Sequence, residues 1–431
     1  MRQTLFFIPH EIAGLPLFGA GWILLGWAIF GFLLTAWTVR RHGWSRETAS
    51  HLPFLLMVAA AVYLLLPLLE VKLPDAELPI GLPIRGYGVM LLIGVVAGVS
   101  SAVYRARQVG IDPDHIFSMA FWMFVLGIGG ARLFYVIQYW ERVNDVSIQK
   151  TLLEIVKFNE GGLVVYGSLI GAMIAFVLFA YLHRLPILRL ADVIAPSMVI
   201  GLAIGRIGCL LNGCCYGGIC EEGAISIRFP KYSSPRLRTL SPPYADQLTS
   251  GNLHGIRMGE SAGQPIVRAV EPESSAAASG IPTGATIRSI NGVSVSSLEH
   301  AREEMFAMLP NSPHLSIETS NGRAYQWSIG KFPDHSLPVH PTQLYSSVNA
   351  FLLFAVLWFL FPLRTADGVI FGVVLTAYPV TRFLLEIIRS DESGHFGTAL
   401  TISQILSLLT LILMIGYWWY VSRQPRLIAQ K

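Results

Sequence analysis

Residues 368–389 form the stretch GVIFGVVLTAYPVTRFLLEIIR, which is apolar over most of its length. That length is close to the ~20 residues that a helix needs to cross the hydrocarbon core of a bilayer. One face of such a helix collects four polar side chains, spaced by four, four and three positions: Tyr378, Arg382, Glu386 and Arg389. Ionisable residues inside a span are costly and are usually functional. The stretch therefore predicts a transmembrane helix with a polar stripe.

The composition of the whole chain agrees with a membrane location. Hydrophobic residues make up 53% and charged residues only 13%, about half the charged share of a soluble protein. Together with 368–389, the apolar stretches predict about nine spans, near 19–39, 52–70, 85–104, 115–139, 162–182, 191–211, 341–361, 368–389 and 400–421. We therefore predict an all-α polytopic protein embedded in the lipid bilayer.

The N-terminus and the net charge narrow the class of protein further. The first 21 residues have no basic region and no cleavage site, so the first apolar stretch is predicted to be a retained span. The net charge of +4, from 31 basic and 27 acidic residues, is too small to indicate nucleic-acid binding. No nucleic-acid partner is therefore predicted.

Basic residues in the short connections predict the orientation. Lys and Arg recur in alternate loops, at 40–46, 105–107, 184–189, 364 and 423–431. Loops of this kind stay in the cytoplasm. We therefore predict a multi-pass protein of the bacterial plasma (inner) membrane, with a periplasmic N-terminus, a cytoplasmic C-terminus and the segment 215–340 facing outward.

The segment 221–337 differs from the rest because it is polar, rich in Ser, Pro and Gly, and too short of apolar runs to span. Within its part from about 262 to 331, the stretch 266–309 predicts a strand, a turn, a short strand, an Asn-Gly hairpin, a strand and a helix. It resembles a bacterial PDZ domain in the motifs SAAASGI (275–281), GATI (284–287) and ING (290–292). This small β-rich, PDZ-like extracytoplasmic insert would either bind a peptide ligand by strand addition or act as a packing and spacer domain.

Two further arginines lie in predicted spans. Arg132 follows Gly129 and Gly130, which allow a neighbouring helix or a lipid to approach closely; the alternative is an arginine bonded to backbone carbonyls inside the bundle. Arg206 lies in AIGRIGCLLNGCCYGG (203–218), where the glycines indicate an irregular backbone that lines a cavity or is covered by protein.

The polar stripe on 368–389 also has an alternative interpretation. Two of its side chains would form an ion pair within the helix and neutralise each other.

With the predicted orientation, the outward half of the bundle collects a set of cationic and phenolic side chains. These are Tyr87, Arg132, Tyr166, Arg206, Tyr345, Arg382 and Arg389. Guanidinium groups bind phosphate oxygens in a bidentate geometry. The set therefore predicts one site, open to the outer leaflet, that holds an anionic headgroup.

The four cysteines all lie between Cys209 and Cys220, at spacings of five, one and five residues. No standard zinc or iron–sulfur site has this spacing, so no metal is predicted. A disulfide is the favoured interpretation in an oxidising compartment. A free nucleophilic thiol is the alternative.

Six blocks resemble the prolipoprotein diacylglyceryl transferase family and follow its order. They are IRGYGVMLLIG (84–94), GGARLFYVI (129–137), EGGLVVYGSLIGA (160–172), GRIGCLLNGCCYGG (205–218), HPTQLY (340–345) and AYPVTRFLLEIIR (377–389). The resemblance implies a core of seven helices in two parts, 81–220 and 338–431. Residues 1–80 would then add an N-terminal pair of helices, and 221–337 would be an insert.

The resemblance implies transfer of a diacylglyceryl group from phosphatidylglycerol to the lipobox cysteine of exported prolipoproteins, with no cofactor. The partners would be phosphatidylglycerol and prolipoprotein signal peptides. It implies catalytic roles for Tyr166, Arg206 and Arg382. The substrate-binding residues would be Tyr87, Arg132, Asn212, Gly217, His340, Gln343, Tyr345, Tyr378, Glu386 and Arg389.

The chain departs from the family at three positions. Tyr166 stands where the best-known members have a His, Cys209 where they have an Asn, and Cys214 where they have a Glu. A Tyr, with an ordinary pKa of ~10, is a weak base unless a cation lowers it. The alternative function is therefore a non-catalytic relative that binds anionic phospholipid and presents its PDZ-like insert to exported peptides.

Overall fold

The computed structural model describes residues 3–44, 46–73, 79–143, 151, 164–223, 225–234, 237–307, 314–328, 330–388, 398 and 400–427. Its α-helices are α1 Trp22–His42, α2 Arg46–Leu64, α3 Gly86–Gln108, α4 Pro113–Gln138, α5 Trp140–Val143, α6 Val165–Leu182, α7 Ile187–Asn212, α8 Pro242–Thr249, α9 Ser275–Ala278, α10 Leu298–Ala307, α11 Thr342–Leu360, α12 Val369–Ile388 and α13 Ile402–Ser422. Its strands are β1 Thr4–Pro9, β2 Glu11–Ile12, β3 Leu15–Pro16, β4 Val71–Lys72, β5 Pro79–Arg85, β6 Tyr232–Ser234, β7 Thr239–Leu240, β8 Ile256–Ser261, β9 Gln264–Val270, β10 Ile287–Ile290, β11 Val293–Ser294, β12 His314–Thr319 and β13 Ala324–Ser328.

Within the described ranges, nine helices are long and apolar enough to cross a membrane: α1, α2, α3, α4, α6, α7, α11, α12 and α13. This confirms the predicted set of spans. Local signals explain several of the helix ends. The Asp112 carboxylate accepts a hydrogen bond from the Asp114 N–H where α4 begins, and Thr401 and Gln404 form a capping box at the start of α13. The chain is therefore a multi-helix membrane protein.

The chain divides into two compact units, and the first consists of Met1–Val89, Cys209–Cys214 and Ile219–Val339. In this unit β5 pairs antiparallel with both β1 and β4. The α1–α2 hairpin is joined by a hydrogen bond from Trp27 Nε1 to the Leu55 carbonyl oxygen, at 2.9 Å. The pair of helices and the small sheet thus belong to one packed body.

The same unit contains described residues of the polar segment 221–337, and these have a core of their own. A four-stranded sheet has the order β11–β10–β12–β13, and β8 and β9 form a separate antiparallel pair. Buried side chains from these strands and from α10 pack together, among them Ile256, Val267, Leu315 and Met305. The predicted Asn-Gly hairpin is confirmed, because the residues between β10 and β11 have φ values of 49° and 84°.

The second unit consists of Met90–Gly208, Cys215–Gly218 and His340–Lys431. Its helices α4 and α6 approach closely because glycines face each other. A Cβ added to Gly130 would overlap the carbonyl oxygen of Gly167, and one added to Gly171 would overlap that of Leu126. The close helix contact predicted beside Arg132 is therefore confirmed at Gly130. Gly129 differs, since a Cβ added there would meet no atom of the described residues within 4 Å.

Candidate functional site

One pocket of the second unit is lined by side chains from three helices. They are Leu202 and Arg206 of α7, Ser346 and Asn349 of α11, and Tyr378, Arg382 and Leu385 of α12. Two of the predicted arginines and one predicted tyrosine therefore meet around one space. That space is narrow, with a cavity volume of about 10 Å³, which is close to the room that one water molecule needs.

The Arg382 guanidinium is held by two neighbours. Its Nη2 lies 2.8 Å from Glu386 Oε2 on the next turn of α12, and it donates to Ser403 Oγ of α13 at 3.1 Å. The Glu386 carboxylate also accepts from Thr401 Oγ1 at 3.4 Å, and Glu386 is 2% exposed. The ion pair that the spacing suggested is thus present, and Arg382 lines the pocket as well.

Hydrogen bonds next to the pocket hold the three helices in register. Asn349 Nδ2 donates to Thr381 Oγ1 at 3.0 Å, which joins α11 to α12. Ser347 Oγ donates to the carbonyl oxygen of Ala203 at 2.9 Å, which joins α11 to α7. Asn349 was not among the site residues predicted from the sequence. The sequence did carry a signal for it, because Asn349 is a polar amide in an apolar span. It follows Tyr345 by four residues, which places both on the same helix face.

The glycine-rich block and the HPTQLY block lie against each other. Gly217 N–H donates to the carbonyl oxygen of His340 at 2.8 Å, and His340 N–H donates to that of Gly218 at 3.1 Å. Thr342 Oγ1 donates to the carbonyl oxygen of Cys215 at 2.6 Å. A Cβ added to Gly217 would lie 2.8 Å from both His340 Cβ and Thr342 Cγ2. Gly217 therefore permits the contact between the two blocks.

We expect Gly217→Ala to lower stability by about 1–3 kcal/mol, because overpacking forces neighbouring atoms to shift. Thermal unfolding of the full chain in mild detergent would measure the loss. Gly205→Ala is the matched control, since in the part of the chain that the structure describes a Cβ there would meet no atom within 4 Å. Equal unfolding temperatures for the two variants would contradict the expected overlap.

Of the predicted residues in the described part of the second unit, the others are not in the lining of this pocket. Arg132 is 6% exposed, and its guanidinium carbon lies 4.9 Å from the centre of the Tyr135 ring. Tyr166 lies in the first turn of α6 and is 45% exposed. Gln343 is completely buried in α11, and Tyr345 is half-buried on the same helix.

Two predicted residues belong to the first unit. Tyr87 lies at the start of α3 and is 42% exposed. Asn212 ends α7, and its side-chain oxygen accepts a hydrogen bond from Gln3 Nε2 at 2.7 Å. Arg389 lies outside the described residues.

The four cysteines are all described, and the structure holds them as thiols without a disulfide. The disulfide favoured by the sequence analysis is therefore not formed in this structure. Cys214 Sγ donates to the carbonyl oxygen of Cys209 at 3.7 Å, a weak hydrogen bond across the end of α7. Burial raises the pKa of the Cys220 thiol, which keeps this group protonated at neutral pH.

Comparison with known proteins places the chain in a family. Residues 76–420 match the family model for prolipoprotein diacylglyceryl transferase. The phosphatidylglycerol–prolipoprotein diacylglyceryl transferase of Rhodopirellula baltica is 37% identical over 450 residues, which cover 95% of this chain and 87% of that protein. The enzyme of the same name from Clostridium tetani is 27% identical over 336 residues, covering 77% and 91%. The chain belongs to the prolipoprotein diacylglyceryl transferase family.

Proposed function

We propose that this protein transfers the diacylglyceryl group of phosphatidylglycerol to the lipobox cysteine thiol of exported prolipoproteins. The product is a thioether, and glycerol phosphate is released. Similar proteins that cover most of the chain carry this activity in their names. The structural observation that carries the proposal is the pocket lined by Arg206, Tyr378 and Arg382 inside the family-matched part of the chain.

The pocket suits the charge that develops in this reaction. The substrate sulfur forms a bond to the glycerol carbon while the bond from that carbon to the phosphate oxygen breaks. The electron pair leaves with the glycerol phosphate, so negative charge grows on its ester oxygen. Among the residues that the structure describes, two guanidinium groups line the pocket, and the carboxylate of Glu386 is paired with one of them. Such preorganised cations stabilise a departing anion.

An apolar groove beside the pocket offers a place for an acyl chain. It is lined by Val373, Thr376, Ala377, Val380, Thr381 and Trp418 and has a cavity volume of about 370 Å³. Thr381 links the groove to the pocket, because its hydroxyl accepts a hydrogen bond from the pocket residue Asn349. We place the headgroup between the arginines and an acyl chain in the groove. The narrow pocket would have to widen as the headgroup enters.

The remaining site residues are proposed on the family resemblance. Tyr166 stands at the position of the family histidine, so we assign its phenolate form the role of accepting the thiol proton, which returns it to the phenol. Its exposed place at the start of α6 leaves the phenol accessible. Tyr378 would donate a hydrogen bond to the headgroup, and Glu386 would orient Arg382. Cys209 and Cys214 replace side chains that the family uses.

We propose that 81–220 and 338–431 form the transferase core, with 1–80 as an added pair of helices. The family match begins at residue 76, which supports placing the first two helices outside the core. The concentration of Arg in alternate loops supports a periplasmic N-terminus and a cytoplasmic C-terminus. The apolar helices and the match to bacterial proteins support a place in the bacterial plasma (inner) membrane.

The insert is proposed to be PDZ-like over about 262–331. The order of its strands and helices and its Asn-Gly hairpin support the assignment. Part of the β8 edge is already occupied, because Met258 N–H donates to the carbonyl oxygen of Ser250 at 2.9 Å. The adjoining helix α8 lies beside α10. Strand addition needs a free edge, so these contacts favour a packing and spacer role over peptide binding at β8.

Expression of the chain in cells depleted of their own diacylglyceryl transferase tests the activity. We expect prolipoproteins to gain the mass of a diacylglyceryl group. Unmodified prolipoproteins, with the protein folded in the membrane, would contradict the enzyme. Binding of phosphatidylglycerol by that inactive protein would then favour the non-catalytic alternative.

A further inference from the structure

The apolar groove of the second unit runs along one side of α12. Its lining on that helix extends from Val373 to Thr381, and within the described residues one lining side chain comes from another helix, Trp418 of α13. Thr381 accepts a hydrogen bond from Asn349, which lines the arginine pocket. The Thr381 end of the groove therefore adjoins the pocket, and Trp418 lies toward the other end.

The Trp418 indole is held against α12 by a hydrogen bond and by close packing. Its Nε1 donates to Thr376 Oγ1 at 3.0 Å, and the Thr376 hydroxyl donates to the carbonyl oxygen of Gly372 at 2.8 Å. The benzene edge of the ring lies on Gly372, because a Cβ added there would be 3.0 and 3.1 Å from Trp418 Cζ2 and Cη2. An indole with its N–H bonded and its ring packed keeps one orientation. It therefore stands as a fixed wall at the level of Gly372 and Thr376.

The distance from the arginine pocket to this wall matches the reach of an acyl chain. Ten residues of α12 separate Gly372 from Arg382, which is about 15 Å at the rise of a helix. Half of the hydrocarbon core of a bilayer is also about 15 Å thick, and this is the depth that the chains of one leaflet fill. A chain whose headgroup lies beside Arg382 would therefore end close to Trp418.

We propose that Trp418 is a specificity-determining residue that ends the acyl groove and limits the chain length of the donor lipid. The inference rests on the proposed function, because that function makes phosphatidylglycerol the ligand of the adjoining pocket. A chain that just reaches the indole fills the groove, whereas a longer chain must bend away from α12 into the surrounding lipid. Trp418 touches no reacting atom, and it acts only on which donor is used.

Competition between donor lipids tests this inference on the purified full chain in mild detergent. The protein receives an equimolar mixture of dimyristoleoyl, dioleoyl and dieicosenoyl phosphatidylglycerol together with a lipobox peptide. The masses of the lipopeptide products report which donor was used. The product ratio measures the ratio of the kcat/KM values for the competing donors, so it does not depend on how much of a variant is folded.

Two changes at the wall should favour long donors. Trp418→Ala opens the end of the groove, and we expect the use of the longest donor relative to the shortest to rise roughly tenfold, as the size of an apolar pocket permits. Trp418→Leu keeps an apolar side chain and should shift the ratio in the same direction by a smaller factor. This second variant decides the question if the alanine variant does not fold.

A third variant should act in the opposite direction, and a fourth serves as the control. Val380→Trp adds a ring at an exposed lining position two residues from Arg382, so the same ratio should fall by roughly tenfold. Trp419→Ala removes the neighbouring indole, which is 60% exposed and is not in the described lining of the groove. Its product ratio should equal that of the unaltered protein.

Two outcomes would overturn the inference. Unchanged product ratios in the folded Trp418 variants would remove the indole from chain selection, and an unchanged ratio in Val380→Trp as well would assign the groove to bulk lipid. An equal shift in Trp419→Ala would show a general effect of lost aromatic area. In contrast, absence of transfer from every donor contradicts the proposed function alone. Native mass spectrometry of the lipids bound from the same mixture then decides the role of Trp418 by the same ratio.

Discussion

Arg382→Ala should abolish transfer, with a loss in kcat/KM of at least about a hundredfold. The guanidinium lines the pocket and is held by Glu386 and Ser403, so it is oriented before the substrate arrives. Its removal takes away a cation where the departing phosphate gains charge. The measurement is the rate of diacylglyceryl transfer from phosphatidylglycerol to a lipobox peptide by the purified protein.

The controls separate lost chemistry from lost stability. Arg382→Ala also leaves the Glu386 carboxylate buried without its cation, which is itself destabilising. The double variant Arg382→Ala with Glu386→Gln removes that charge, and we expect it to recover stability while staying inactive. Arg268→Ala changes an exposed arginine of β9 and should transfer normally. Activity of Arg382→Ala within threefold of the unaltered rate would remove this residue from the mechanism.

Among the single alanine substitutions, Asp192→Ala should cause the largest loss in the free energy of unfolding, about 3–5 kcal/mol. Asp192 lies in α7 and is completely buried. Its carboxylate caps α12 from outside that helix, accepting from the N–H groups of Gly368 and Phe371 at 2.8 and 2.9 Å. It also lies 3.9 Å from Arg364 Nε. Alanine would leave the buried Gly368 N–H and the half-buried Phe371 N–H without their acceptor, at the end of the helix that carries Arg382, and would remove the carboxylate beside Arg364.

The loss should lower the unfolding temperature in mild detergent by roughly 10 °C. Asp112→Ala is the matched control, because Asp112 caps α4 from an exposed position; its loss should cost only ~1 kcal/mol. Asp192→Asn keeps one acceptor oxygen, so its unfolding temperature should lie between those of Asp192→Ala and Asp112→Ala. Equal unfolding temperatures for the two alanine variants would show that burial of the Asp192 carboxylate adds nothing.

Several features follow from local sequence, and the structure agrees with them. The apolar length of each span and the spacing of Tyr378 and Arg382 depend only on helix geometry, so the spans and the shared helix face were predictable. The Asn-Gly hairpin depends only on two residues with positive φ. The cysteine spacing was less informative, because it does not show whether two sulfur atoms bond.

Distant contacts required the tertiary structure. The chain alone marks Arg132, Arg206 and Arg382 as equivalent arginines in spans, yet the structure buries Arg132 beside Tyr135 and brings the other two to one pocket. The cap that Asp192 places on α12 likewise joins residues far apart in the chain. Hydrophobic length and helical period are properties of neighbouring residues, so sequence determines the spans and their polar faces. Which faces meet is decided by the packing of whole helices, and only the folded chain determines which charges share a site.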